Sequence, residues 1–233
     1  MAKINNFFIG VVFARGNSKG IKNKNLLKFK NLTLVEHSVK QGYQTKLLKK
    51  VYISSDSKKI INNAKKQKAI VPFIRPKLLS TDTSPEILSW RHFIKYLYKN
   101  DIRPKYIVSI PTTSPLRKVS DITKSMLLAK KKKYDIVFTL TKSSKNPYFN
   151  MVILKNKKIQ LLKNKKKLFR RQEGPEFFDI CTICYIFKPE YILKTKNLFS
   201  GKVGFVNIPK KRSVDIDDEL DYKFVNFLLN EKK

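Results

Sequence analysis

Short apolar runs alternate with segments whose apolar residues recur at helical spacing through the first 141 residues. The expected strands are 7–14, 49–56, 105–110 and 134–141, and the expected helices are 33–44, 57–67, 84–100 and 120–133. The run AIVPFIR, residues 69–75, is compatible with one more short strand. Strands that alternate with helices predict a three-layer α/β fold around a mainly parallel sheet.

Two of the expected helices begin with residues typical of helix starts. Ser84, Pro85 and Glu86 open the third helix as a cap, a first-turn proline and a first-turn acid. Ser120 stands in the capping position of the fourth helix. We therefore expect a serine side chain to cap each of these helices.

The alternation changes after residue 145. NPYFNMVILKNKKIQLL predicts two short strands joined by the polar turn KNKK, and residues 163–178 show no regular pattern. A strand at 179–187, a helix near 189–195, a strand at 202–208 and a helix at 217–231 follow. We interpret the chain as one domain over residues 1–233, with 145–178 as an inserted arm suited to oligomerisation.

Charge is the strongest feature of the composition. Lys and Arg total 51 against 17 Asp and Glu, a formal net charge of +34. Such an excess suits nucleic acid, acidic lipid or a phosphate-rich substrate, but only eight of the cations are arginine and the lysines are spread along the whole chain. The spread favours solvated lysine-rich faces, so no specific nucleic acid partner is expected.

Apolar runs of about eight residues are too short to cross a bilayer, which needs roughly 20. The first residues lack the small-residue cleavage site of a signal peptide, so we expect a cytoplasmic protein without a membrane partner. Cys181 and Cys184 form a C-x-x-C inside the predicted strand 179–187. Residues three apart on a regular strand face opposite sides, which predicts two reduced core thiols.

Ligands of open α/β sheets bind at the carboxyl ends of strands, and residues 14–25, ARGNSKGIKNKN, directly follow the first strand. Gly16 and Gly20 allow backbone amides to approach a ligand, and Arg15 and Lys24 are among the cations that can neutralise phosphates. The loop matches neither a Walker loop nor G-x-G-x-x-G. It is compatible with a polyphosphate site or with a solvated turn.

A second unusual loop, residues 110–121, reads IPTTSPLRKVSD. Two prolines fix its backbone, and its hydroxyls stand beside Arg117, an arrangement suited to a carboxylated or polyhydroxylated ligand. A capped turn that leads into the next helix explains the same residues.

A third loop, before the last helix, carries Asp215 and Asp217. Two carboxylates at this point can bind Mg²⁺ beside substrate phosphates. Asp218, Glu219 and Asp221 have a simpler explanation, since acids in the first turn of a helix complement its dipole. Cations after one strand and paired acids after another suggest a nucleoside triphosphate with its metal.

Six segments taken in order resemble the motifs of the acylneuraminate cytidylyltransferases, the CMP-sialic acid synthetase family. They are ARGNSKGIKNKN (14–25), YISSDSKKI (52–60), IRPKLLSTD (74–82), TTSPLRKVSDI (112–122), FRRQEGP (169–175) and VDIDDELD (214–221). The resemblance implies a Rossmann-like nucleotide-diphospho-sugar transferase fold with an inserted dimerisation region, and a homodimer. It also implies Mg²⁺-dependent transfer of CMP from CTP to a nonulosonic acid.

The same resemblance assigns residues to roles. It implies catalytic roles for Arg15, Lys24 and Asp215, and a metal site at Asp215 and Asp217. The nucleotide-binding residues would be Ala14, Arg15, Gly16, Asn17, Ser18, Lys24, Asn25, Arg75 and Ser84. The sugar-binding residues would be Thr112, Thr113, Ser114, Arg117, Arg170, Arg171 and Gln172.

Departures from the family pattern concern the acceptor sugar. Phe13 stands where the family commonly has proline, and Pro111 and Thr112 replace its Gln-Pro. FFDICTICYI resembles the version found in relatives that act on other nonulosonic acids, such as legionaminic acid. CMP-Kdo synthesis is the alternative substrate assignment, and a basic nucleic-acid-binding module is the alternative from another class.

Overall fold

Ten strands and six helices make up the regular structure of the computed structural model, which describes residues 7–163, 170 and 174–231. The strands are β1 (Phe8–Phe13), β2 (Lys28–Phe29), β3 (Leu32–Thr33), β4 (Val51–Ser54), β5 (Tyr106–Ser109), β6 (Ile136–Lys142), β7 (Val152–Lys155), β8 (Lys158–Leu161), β9 (Phe178–Phe187) and β10 (Val203–Asn207). The helices are α1 (Leu34–Gln44), α2 (Lys58–Lys66), α3 (Glu86–Lys99), α4 (Val119–Lys132), α5 (Pro189–Lys194) and α6 (Glu219–Asn230). Every strand and helix expected before residue 141 is present, except that residues 69–75 contribute only isolated bridges at Ile70 and Ile74.

A six-stranded sheet in the order β10-β6-β9-β5-β1-β4 forms the centre of the fold. The pairs β1 with β4, β1 with β5, and β10 with β6 are parallel, whereas β9 runs antiparallel to β5 and to β6. The predicted mainly parallel sheet is therefore confirmed. Because β1, β4 and β5 are parallel neighbours, the loops that follow them emerge at one edge of the sheet.

Helices cover both faces of this sheet. Val35 and Val39 of α1, with Ile122 and Met126 of α4, share a fully buried core with β1 and β5. On the opposite face α3 contributes a second core, built from Trp90, Phe93, Ile94 and Leu97. Apolar residues at helical spacing thus meet a two-sided apolar sheet, which is the physical basis of the three layers.

The helix starts differ from the expected serine caps. Helix α3 begins at Glu86, and the buried Ser84 Oγ has no hydrogen-bond partner. Helix α4 begins one residue before Ser120, and the Asp121 carboxylate accepts the hydrogen bond from the Lys118 amide at 2.9 Å. Both serine-cap predictions are wrong: Asp121, one position after Ser120, reaches back to the amide at the start of α4, and α3 begins after Pro85 with no side-chain cap bond.

The inserted arm contains the predicted hairpin. Strands β7 and β8 pair antiparallel, and Asn156 and Lys157 turn between them with φ of 50° and 60°. A left-handed backbone conformation at both turn positions matches the twist of the strands in a two-residue hairpin. Its apolar residues remain exposed, with Leu154 75% and Ile159 72% accessible.

Cys181 and Cys184 are free and buried, as predicted. Their expected placement on opposite faces is wrong, since both belong to the core on the α1 and α4 side. The pairing of β6 with β9 is irregular between Val137 and Thr139, and this irregularity shifts the alternation of β9. Burial raises the pKa of the Cys184 thiol to about 12, so it stays protonated and unreactive.

No helix in the described part of the chain combines the length and the apolar character that crossing a bilayer requires.

Candidate active site

A cavity of about 600 Å³ opens where the loops after β1 and β5 meet the loop before α6. Its lining comprises Phe13, Arg15, Ser18, Lys19, Gly20, Lys24, Asn25, Arg75, Leu79, Thr81, Asp82, Ser84, Glu86, Ser89, Thr112, Thr113 and Asp217. We call residues 14–25 the cradle loop and residues 213–218 the acidic loop. The cavity brings together residues from all three loops that the sequence singled out.

Acidic side chains hold the cradle loop in place. Arg15 Nη1 lies 2.6 Å from an Asp82 carboxylate oxygen and donates to the Thr81 carbonyl at 3.1 Å. The Gly16 amide donates to Asp56 Oδ1 at 2.8 Å. Lys19 lies 3.8 Å from the other Asp82 oxygen. Asp56 and Asp82 accept hydrogen bonds from the same donors that a polyphosphate would use, and these bonds keep the donors oriented.

Lys24 joins the cradle loop to the acidic loop. Its ammonium donates to the Ile216 carbonyl at 2.7 Å and to Asp217 Oδ1 at 3.2 Å. A Cβ placed on Gly20 would lie 2.0 Å from the Asp217 carbonyl oxygen, so the two backbones touch at a position that only glycine permits. The triphosphate-binding candidate and the acid pair are thus one continuous site.

Asn25 connects the cradle loop to the loop after β5. Its side-chain amide donates to the Arg15 carbonyl at 2.8 Å, and its carbonyl oxygen accepts from the Thr112 hydroxyl. Asn25 is 5% exposed, at the wall of the cavity. This pair of bonds fixes the carboxyl ends of β1 and β5 relative to each other.

Arg75 forms another wall of the cavity. Its side chain is 5% exposed, its Nε donates to Ser80 Oγ at 2.9 Å, and its Nη2 lies 3.9 Å from Asp56 Oδ1. Asp56 therefore serves both the cradle loop and Arg75. Burial lowers the pKa of Arg75, and Asp56 opposes that shift.

The two acids of the acidic loop have different surroundings. Asp215 is half-buried, and its Oδ1 is buried without a hydrogen-bond partner. Burial raises the pKa of Asp215, whereas the hydroxyls of Thr113 and Thr182 and the charge of Lys24 act in the opposite direction. Asp217 exposes its carboxylate to the cavity, with 77% of the side chain accessible.

These carboxylates suit a hard divalent cation. An unpaired buried carboxylate oxygen favours a nearby positive charge, and oxygen ligands are those that Mg²⁺ prefers. In the described residues no group of three or more His, Cys, Asp or Glu side chains forms a closed metal site. A cation bound here would complete its coordination with substrate phosphates and water.

Several expected contact residues lie away from the cavity. Ala14, the first residue of the cradle loop, is buried in the core, Asn17 is exposed outside the lining, and the Ser114 hydroxyl bonds Thr182 Oγ1 at 2.7 Å in the interior. Arg170 is exposed and does not line the cavity. Arg171 and Gln172 lie outside the described residues.

Arg117 has an internal role. Its guanidinium donates to Gln41 Oε1 at 2.7 Å, to the Ile183 carbonyl at 3.0 Å and to Ser38 Oγ at 2.6 Å. With 3% exposure it anchors the loop after β5 to α1 and β9. Thr112 and Thr113 of the same loop do line the cavity.

A second cavity, of about 540 Å³, lies on the other side of the acidic loop and is lined by Asp215. Ile180 and Phe224 supply apolar surface. Charged residues of both signs also line it: Lys142, Lys210, Lys211, Asp179, Asp215 and Glu231. Asp217 therefore lines the first cavity and Asp215 the second, so the acidic loop separates the two.

Sequence reasoning missed the acids Asp56, Asp82 and Glu86, which line the first cavity or orient its cations. Asp56 directly follows β4, at the sheet edge where a ligand site is expected. Asp82 has no local sequence signal of a role. Neither reveals its partner without the fold.

Comparisons with known proteins identify the family of the chain. A family model described as cytidylyltransferase matches residues 9–231. Post-translational flagellin modification protein B from Campylobacter coli is 32% identical over 225 residues, covering 95% of this chain and 94% of that protein. A CMP-N,N'-diacetyllegionaminic acid synthase from Campylobacter jejuni subsp. jejuni has the same identity and the same coverage.

Solved structures show the same fold. A CMP:2-keto-3-deoxy-manno-octonic acid synthetase complexed with CTP superposes with a TM-score of 0.72 at 9% identity, covering 97% of this chain and 99% of that one. This likeness concerns the fold alone. The family match over residues 9–231 and the relatives at 32% identity show that the chain belongs to the cytidylyltransferase family.

Proposed function

We propose that this enzyme transfers CMP from CTP to the anomeric hydroxyl of a nonulosonic acid, giving a CMP-sugar and pyrophosphate. The observation that carries the proposal is the joining of the cationic cradle loop to the acid pair through Lys24 and Gly20. The relative named as a CMP-N,N'-diacetyllegionaminic acid synthase, which matches 95% of the chain, supports this acceptor class. CMP-Kdo synthesis has weaker support, because the corresponding structural neighbour shares the fold at only 9% identity.

The cradle loop would hold the triphosphate. Arg15 and Lys19, now paired with Asp82, would exchange that carboxylate for phosphate oxygens, while Lys24 neutralises charge on the transferring phosphoryl group. Side chains already held by acids lose little freedom when phosphate replaces those acids.

Asp215 and Asp217 would hold Mg²⁺. Bound there, the ion would supply positive charge to the phosphate oxygens and to the departing pyrophosphate. Lys24, held by Asp217 and the Ile216 carbonyl, positions the acidic loop for that role.

The transfer forms one bond and breaks another. The anomeric oxygen attacks the α-phosphorus, the bond from that phosphorus to the β-phosphate bridging oxygen breaks, and pyrophosphate leaves with the electron pair. We assign Asp215 to receive the hydroxyl proton, directly or through water, since it lines the second cavity and follows Val214 in the same loop as Asp217 of the first.

The acceptor would occupy the second cavity. Lys142, Lys210 and Lys211 suit the sugar carboxylate, and Ile180 and Phe224 suit apolar substituents of the sugar. Thr113, which lines the first cavity near Asp215, would meet the sugar where the two cavities approach.

We also propose a homodimer formed through the arm 145–178 of a single catalytic domain. The exposed Leu154 and Ile159 of the hairpin support it. Light scattering after size exclusion should give twice the chain mass, and a monomer at micromolar concentration would contradict the proposal. The cytoplasmic location and the absence of a specific nucleic acid partner stay predictions.

Pyrophosphate release tests the function. Incubation with CTP, Mg²⁺ and a panel of nonulosonic acids should release pyrophosphate with at least one acceptor. Arg15→Ala and Asp217→Asn should each lower turnover by more than about tenfold, roughly 1.4 kcal/mol of transition-state stabilisation. The exposed Lys196→Ala and Glu190→Gln outside the cavity serve as matched charge controls. No pyrophosphate release with any acceptor would reject the assignment.

A further inference from the structure

Glu86 lines the nucleotide cavity but takes no part in the transfer chemistry described above. It is the first residue of α3, and the Trp90 Nε1–H donates to its Oε1 at 3.1 Å. Trp90 is 2% exposed and stacks on Phe187 at 4.6 Å between ring centroids. A side chain held this firmly fixes the direction of the carboxylate.

The second carboxylate oxygen remains available to a ligand. No described residue donates a hydrogen bond to Glu86 Oε2, and the side chain is accessible from the cavity. Protein atoms around the carboxylate partly desolvate it and raise the pKa of Glu86, although the residue is open to the cavity, and the Trp90 bond and the Arg75 charge only partly oppose that shift. An ionised carboxylate here therefore gains from one more donor.

The surroundings of Glu86 suit a flat heterocycle. Phe13 and Leu79 supply apolar surface, Arg75 supplies a cationic donor, and Ser84 Oγ is buried without a partner. The phosphate-binding groups belong to other elements, the cradle loop and the acidic loop. The wall formed by Arg75 and the start of α3 is therefore left for the base.

Cytosine and uracil differ at the group that Glu86 would meet. Cytosine carries an exocyclic amine, a donor, together with the N3 and O2 acceptors, whereas uracil has the O4 acceptor and an N3–H. A carboxylate accepts from the amine and repels O4, and Arg75 can donate to the acceptors of cytosine. Building on the proposed function, we infer that Glu86 is a specificity-determining residue that selects cytosine through its exocyclic amine.

Trp90 gives a direct readout of base binding. It is the only tryptophan of the chain and bonds Glu86, so its fluorescence should change when the base occupies the cavity. We would titrate the full chain with CTP, UTP and 2-pyrimidinone ribonucleoside triphosphate, which lacks the exocyclic amine. The wild-type chain should bind CTP at least tenfold more tightly than either analogue, about 1.4 kcal/mol.

Variants separate base selection from general affinity. Glu86→Gln presents both a donor and an acceptor, so it should reduce the CTP to UTP preference by at least tenfold. Asp82→Asn is the matched control, since it makes the same kind of charge change in the same cavity beside Arg15. It should change the affinities for CTP and UTP by the same factor.

The outcomes distinguish the two proposals, because no acceptor sugar is needed. A folded Glu86→Gln chain that keeps the wild-type preference overturns the inference, as does equal binding of CTP and the 2-pyrimidinone analogue by the wild-type chain. The analogue comparison decides the question even where Glu86→Gln does not fold. Failure to bind CTP at all would overturn the proposed function as well, whereas base preference without transfer would reject only the acceptor assignment.

Discussion

Gly20→Ala tests whether the contact between the cradle loop and the acidic loop is needed for catalysis. The added Cβ would lie 2.0 Å from the Asp217 carbonyl oxygen and 3.1 Å from its carbonyl carbon. Both atoms are backbone, so no side-chain rotation relieves the overlap. Ordinary van der Waals separation requires the loops to move apart by more than about 1 Å.

The expected loss follows from that displacement. A misplacement of about 1 Å can reduce an enzymatic rate roughly 10²-fold, which corresponds to about 2.7 kcal/mol. The Lys24 bonds to Ile216 and Asp217, at 2.7 and 3.2 Å, would lengthen at the same time. We therefore expect kcat/KM to fall about 10²-fold.

The assay is pyrophosphate release with CTP and an accepted nonulosonic acid, together with the midpoint of thermal unfolding. Gly16→Ala is the milder substitution in the same loop. Its added Cβ would lie 3.1 Å from Ser57 Cβ, so the neighbouring side chain has to move only slightly. The unfolding midpoint shows whether the variant remains folded at the assay temperature.

Two results would refute this reasoning. A Gly20→Ala enzyme with normal kcat/KM would show that the loops need not touch. Equal losses in Gly16→Ala and Gly20→Ala would show that chain flexibility, rather than the contact with Asp217, sets the rate.

Three further predictions concern stability. Asp215→Asn should raise the unfolding free energy by about 1 kcal/mol in denaturant titrations while abolishing transfer, because it removes a buried charge with an unpaired oxygen; lower stability would contradict this. Asp121→Ala should cost about 3 kcal/mol, since Asp121 is 2% exposed and binds Arg212 through two bonds of 2.8 and 3.0 Å; a loss below 1 kcal/mol would contradict it. Burial lowers the pKa of His37 from 6.5 to about 4, so between these pH values the unfolded chain binds a proton that the folded chain does not. The unfolding free energy should therefore fall as the pH is lowered from 6.5 to about 4, by at most about 1.4 kcal/mol per pH unit, and His37→Gln should flatten that part of the profile.

Local patterns predicted the elements well and their ends less well. Periodicity located β1, β4, β5 and β6 and helices α1 to α4, because burial on one or two faces leaves a mark in the sequence itself. The serine caps failed because Asp121 takes the amide at the start of α4, and because α3 begins with no side-chain cap bond. The antiparallel direction of β9 and its irregular pairing were not predicted, since strand direction depends on the partners.

The site divides in the same way. The cations of the cradle loop and the acid pair were found because charged residues directly after apolar strands are visible without a structure. Arg117 was expected to face a sugar, yet it bonds Ser38, Gln41 and Ile183 in the interior, and a sequence does not show which side of a loop a side chain takes.

The amino-acid sequence by itself determined the α/β class, the position of the cradle loop and the presence of Asp215 and Asp217, because these depend on local periodicity and on residue type. Only the tertiary structure decided that Lys24 meets Asp217 across 193 positions, that Asp82 pairs with Arg15, and that Glu86 enters the same cavity. These are contacts between distant segments. Their distances are set by how helices pack on the sheet, which no short stretch of sequence contains.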